Sequence, residues 1–260
     1  MQTTHRSRKA GFTLPEVLAV VGIIIIMVAL LLPARPKRGR GPCGVACVSN
    51  MKQTTLAFIV WMHDNEKANF PFRVDWRNGG TRYSGDDSAP AWAGQQNRLF
   101  FQYAWLSNQL ENPKLLVCPS EKQKRVAVNW SSTDPHSGFL HGNQRDNSVS
   151  YNLWMDGGYI NGTLSFENAQ DQILLSDRHL TDDGQSTSCS SGISPVKQIV
   201  SQPNPTGKVR WKAEKNFGHG VVGSLGLLDG SVASVNQSEL GELFRRGDAD
   251  AGVLHYMFPQ

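Results

Sequence analysis

"GFTLPEVLAVVGIIIIMVALLLPARPKRGRGPCG", residues 11–44, opens on a glycine, carries one carboxylate at Glu16, runs apolar from Val17 to Leu32 and ends in a basic tract broken by proline and glycine. As a helix, Phe12 to Leu32 would rise about 31 Å, the thickness of a bilayer core. Glu16 stands just inside the apolar boundary, where a carboxylate is costly and asks for a partner. An ordinary secretory signal needs a small-x-small cleavage site directly behind its apolar region, and LLLPARPKRG supplies none. The GVAC at 44–47 lies beyond a polar linker and makes a poor lipoprotein box. Basic residues flank the run on both sides, Arg6, Arg8 and Lys9 before it and Arg35, Lys37, Arg38 and Arg40 after it, so the positive-inside rule does not orient it alone.

The 260 residues are enough for a sizeable core. Net charge is +4, and without Arg6, Arg8 and Lys9 the remaining 23 of 26 basic residues face 22 acidic ones. A nearly neutral body lacks the basic face that a nucleic-acid-binding domain needs. Cys43, Cys47, Cys118 and Cys189 form no CxxC pair, which speaks against a zinc ribbon or a thioredoxin-type centre. In an exported body they are free to pair, and four cysteines allow three complete pairings.

Past the linker, Val48, Met51, Thr55, Phe58, Ile59 and Met62 recur at three- and four-residue spacings and predict a helix over 46–64. A loop-rich stretch follows to Asp87, then a second helix over 97–110 that stops before Pro113. Strands are expected at 114–118, 148–155 and 172–176. GVVGSLGLLDGSVASVN, residues 220–236, reads as a hairpin with Asp229 and Gly230 in a type I′ turn. ELGELF at 239–244 suits a short helix, while the polar segments 121–147 and 179–208 read as surface loops.

KAGFTLPEVLAVVGIIIIMVALLLPA resembles the amino terminus of type IV prepilins and type II secretion pseudopilins. The resemblance implies cleavage by a prepilin peptidase between Gly11 and Phe12, N-methylation of Phe12, and an assembly role for Glu16, paired with the new terminal amine of a neighbouring subunit. CVSNMKQTTLAFIVW, PKLLVCPSEK, SYNLW, LLSDRHL and GHGVVGSLGLLDGSV are similar, in that order, to landmarks of prepilin-like families of planctomycetes and verrucomicrobia. The last landmark holds their motif of His, nine residues, then Asp-Gly, here His219, Asp229 and Gly230. These families imply a pilin-like α+β body, a helix packed on an antiparallel sheet. They also imply a Cys47–Cys118 disulfide, with Cys43 paired to Cys189 or free.

On that reading residues 1–11 are a leader, 12–32 a transmembrane and assembly helix, 33–45 a linker and 46–260 an extracytoplasmic pilin-like domain. Relatives continue the first helix into the body. Here Pro33, Pro36 and Pro42 with Gly39, Gly41 and Gly44 predict a joint instead, since an interior proline costs about 3 kcal/mol and a glycine about 1. The expected partners are the peptidase, other subunits, an inner-membrane assembly platform and lipid, without nucleic acid. The expected place is the inner membrane, with the body in the periplasm or on the cell surface.

No enzyme is expected. His219, Asp229 and Ser231 would lie apart along a hairpin arm, and there is no G-x-S-x-G elbow. His136, His141 and Asp134 lack metal-ligand spacing. No cofactor is expected; GDADAG at 247–252 and DDG at 182–184 offer oxygens to calcium, but neither completes an EF-hand. The leading expectation is a filament subunit of a type IV pilus or secretion pseudopilus. Its alternative is a membrane-anchored surface protein that binds polysaccharide or a similar ligand.

Overall fold

A computed structural model of the chain describes residues 14–31, 42–67, 69–83, 90–92, 94–95, 98–156, 159–160, 163–164, 166, 169–182, 187–188, 196–200, 209–212, 222–246 and 253–258. Residues 1–39 and 40–260 are two separate compact units. The first contains helix α1, Leu14–Leu31.

The second unit begins with α2, Pro42–Asp64, four residues earlier than the predicted start. Proline is accommodated at a first helical position, where its missing N–H has no intrahelical partner to lose. The predicted joint is left with residues 32–41, which lie outside the described residues. Cys47, Met51, Thr54, Phe58 and Trp61 recur every three or four residues and are buried.

The single helix expected over 97–110 is two, α3 at Leu99–Ala104 and α4 at Ser107–Leu110. The chain tightens between them, where the Leu106 N–H donates to Tyr103. KLLVC is not a strand. Asn112 accepts a hydrogen bond from the Lys114 amide and Pro113 fixes the next φ, which winds Pro113–Leu116 into a 3₁₀ turn.

The strands are β1 Tyr151–Trp154, β2 Tyr159–Ile160, β3 Thr163–Leu164, β4 Ile173–Asp177, β5 Leu180–Asp182, β6 Thr187–Ser188, β7 Val196–Val200, β8 Val209–Trp211, β9 Gly223–Leu227, β10 Val232–Val235 and β11 Val253–Met257. Seven form one antiparallel sheet in the order β10-β9-β4-β1-β11-β7-β6, and β2-β3 and β5-β8 are separate pairs. The α+β class with an antiparallel sheet is therefore observed. The expectation of loops over 179–208 is overturned, because β5, β6 and β7 lie there. Their Thr, Ser, Lys and Gln content concealed a backbone that pairs regularly with its neighbours.

Every residue of β1, β4 and β9 is buried, because helices cover both faces of the sheet. On one face Tyr151, Leu153 and Leu175 pack with Met51 and Phe58 of α2. On the other, Trp154 and Leu225 pack with Leu240 and Phe244 of α5, Gln237–Arg246, and the Trp154 and Phe244 rings lie 5.2 Å apart. Glycine sets the spacing on the α2 side. A Cβ at Gly226 would stand 2.3 Å from Thr55 Oγ1, and one at Gly230 2.7 Å from Leu56 Cδ2.

The β9–β10 turn differs from the expected type I′. Only Gly230 has positive φ, at 83°, and the Gly230 N–H donates to the Leu227 carbonyl. This is a type I turn closed by a left-handed glycine, a bulged three-residue hairpin loop.

Candidate functional site

In α1, Pro15 and Glu16 occupy the first turn, where proline loses no hydrogen bond and a carboxylate meets the positive end of the helix dipole. From Leu14 to Val28 the side chains are exposed, Gly22 alone being half-buried. Such a helix presents apolar surface all round, from Leu14 at 77% exposed to Ile25 and Ile26 at 62%. Side chains are described only to Val28, about 22 Å of helix, and among the described residues no helix is long and apolar enough to cross a membrane. Gly11 and Phe12 lie outside the described residues.

In the second unit, sequence landmarks far apart in the chain converge where α2 meets the sheet. A disulfide joins Cys47 to Cys118 with Cα atoms 4.8 Å apart. Beside it the Asn50 amide donates to the Val117 carbonyl at 3.1 Å, and the Tyr151 hydroxyl donates to the Cys47 carbonyl at 3.4 Å. The Ser150 N–H donates to Leu116, and the Arg178 N–H to Ser150. Glu121 of the CPSEK landmark pairs with Arg178 of LLSDRHL at 3.5 Å, its own side chain 6% exposed.

Burial pushes the Glu121 carboxyl up to about 7, against the opposing pull of Arg178 and Lys124. Burial likewise brings Lys124 down to about 8, with Arg178 adding to the effect. Asp177 closes the network by accepting the Ser224 N–H at 2.6 Å. A carboxyl titrating near neutrality is a familiar mark of acid–base sites. Here the side chain is nearly enclosed by its neighbours, at the joint between these elements.

Sequence reasoning missed a second polar cluster. Asp156 accepts from the Arg73 guanidinium at 2.6 Å and sits 2.8 Å from His255 Nδ1, and it also takes the His255 N–H. Arg73 donates as well to the Met155 carbonyl at 2.6 Å. These residues tie the end of β1 to β11 across a separation of 99 positions, which no local spacing announces.

The remaining expected residues are placed as follows. Asp229 is an exposed turn residue whose carboxylate accepts the Ser231 N–H, and Gly230 supplies the left-handed turn. His219, Cys189 and the Cys43 side chain lie outside the described residues, as do 183–184 and 247–252 of the two acidic runs. Asp134 is held well below the usual carboxylate range by the Ser137 hydroxyl, the Asn129 amide and two backbone N–H groups. His136 is exposed, and His141 Nδ1 accepts from the Asn143 N–H. Among the described residues no three His, Cys, Asp or Glu side chains are grouped to hold a metal.

Of the tryptophans, Trp61, Trp154 and Trp211 are buried, while Trp92 and Trp105 are half-buried in a cluster with Phe101. Neither a protein-family model, nor a curated protein, nor a solved structure matches the chain.

Proposed function

We propose that this chain is a structural subunit of a pilus-like or secretion-pseudopilus filament. Cleavage after Gly11 removes the leader, and Phe12 becomes an N-methylated terminus. Residues 12–32 then act first as a membrane anchor and afterwards as the assembly element. The body, from α2 onward, is the extracytoplasmic pilin-like domain, and its chemistry is structural rather than catalytic.

The observation that carries this reading is the placement of Glu16 in the first turn of an apolar helix whose described side chains are exposed on every side. Such a surface needs either lipid or other apolar helices around it. A carboxylate at its start is costly in lipid and is relieved by an ammonium group, which the new terminus of a neighbouring copy supplies. Lipid and neighbouring subunits are thus successive environments for one element.

Single cysteines introduced between Val17 and Val28 in a chain with Cys43 and Cys189 replaced by serine test this. Filament assembly predicts disulfide-linked oligomers at positions recurring with helical periodicity. Monomer at every position, with the chain in the membrane, would refute assembly through this helix.

A further inference from the structure

We propose that the cleft walled by Arg125 and Val126, by Pro135 and His136, and by Asn143 and Gln144 binds a carboxylate-bearing saccharide. It is an open depression of about 550 Å³, within the volume range of small-ligand sites. The function stands independently of filament assembly, since the cleft belongs wholly to the second unit.

The cleft is held by its own hydrogen bonds. The Arg125 N–H donates to the Asn147 carbonyl at 3.1 Å and the Val128 N–H to Ser137 at 2.9 Å. The Gln144 amide donates to the His136 carbonyl at 2.6 Å, which joins the floor to the far wall. The Arg125 guanidinium is anchored through Nη1 to the Asn143 carbonyl at 3.2 Å. Its Nε and Nη2 edge makes no hydrogen bond among the described residues. A guanidinium edge with two parallel N–H donors matches a planar carboxylate in bidentate fashion.

The rest of the lining suits a polyhydroxylated ring. Val126 is 44% exposed and, with Pro135, offers an apolar surface to the C–H face of a sugar. The exposed His136 imidazole and Asn143 amide offer both donors and acceptors to hydroxyls. Asp134 is the nearest carboxylate in sequence, and its oxygens are engaged by Asn129, Ser137 and the His136 and Ser137 amides, which disperses its charge within its own loop.

The test is calorimetric titration of the full chain in phosphatidylcholine nanodiscs, at about 0.15 M salt to screen non-specific charge. The probe is trigalacturonate, with maltotriose as its neutral counterpart and a sulfated heparin tetrasaccharide as the rival anion. Trigalacturonate should bind, and maltotriose should bind at least about tenfold more weakly. Arg125→Gln and Val126→Asp, both at exposed positions, should each weaken trigalacturonate about tenfold or more. Arg77→Gln, on a different loop, should change it less than about twofold. The assignment is overturned if trigalacturonate does not bind, if Arg125→Gln binds it like the parent, if Arg77→Gln loses as much, or if the sulfated probe binds more tightly.

Discussion

Glu121 concentrates the electrostatics of the body in one carboxyl. Its raised value, about 7 against an ordinary 4.5, means that the folded state holds a proton that the unfolded state has released. Its contribution to stability is therefore fully present below about pH 4.5 and is lost as pH rises through 7. The difference corresponds to roughly 3 kcal/mol at 1.36 kcal/mol per unit. Urea unfolding of wild type and Glu121→Gln should show wild type losing about that much relative to the variant between pH 4 and pH 8, and parallel profiles would count against it. Lys124, lowered to about 8, titrates with the opposite sign on the alkaline side. Gly226 is the steric counterpart of this site. Gly226→Ala should cost about 1–3 kcal/mol because its new Cβ meets Thr55 Oγ1, and adding Thr55→Ala should restore part of the loss. Additive losses would show that the helix is not what the glycine accommodates.

Among the elements, α2 organises the second unit, and it is fastened covalently to Cys118, just past the Pro113–Leu116 turn. The disulfide closes a loop with a sequence separation of 71 and so should contribute about 2–5 kcal/mol. Cys47→Ser with Cys118→Ser should lower the denaturant midpoint accordingly, and an unchanged midpoint would contradict that role. This scale also separates what is legible in sequence from what is not. Local periodicity was sufficient for α2, β1, β4 and the β9–β10 hairpin, because each is written in neighbouring residues. KLLVC carried β-rich residues, yet the Asn-Pro pair before it dictated a 3₁₀ turn. Strand β6, Thr-Ser, carries no apolar signal, and β7 and β11 owe their place to pairing with each other and with β1 across long stretches of chain. The same holds for the sites. Glu121 and Arg178 were visible as parts of landmarks, but their meeting, like that of Arg73, Asp156 and His255, is a product of topology.

For the whole molecule, the proposed division of labour is an apolar amino-terminal helix that moves from lipid to filament and a disulfide-fastened body that meets the surroundings. Glu16 links the two states in this proposal, its carboxylate meeting the new terminal ammonium of a neighbouring copy as subunits align. Glu16→Ala should leave leader removal intact and reduce filament incorporation by at least about tenfold, counted by immunoelectron microscopy of sheared filaments, given the several kcal/mol at stake for a buried charge pair. Wild-type incorporation would remove Glu16 from the assembly step. All of this depends on the chain being a prepilin substrate. The most direct measurement is mass spectrometry of the mature amino terminus from cells with and without the prepilin peptidase. The account predicts N-methyl-Phe12 as the first residue when the peptidase is present and an uncut leader when it is absent. A terminus at Met1 or at any residue other than Phe12 in peptidase-bearing cells would contradict it.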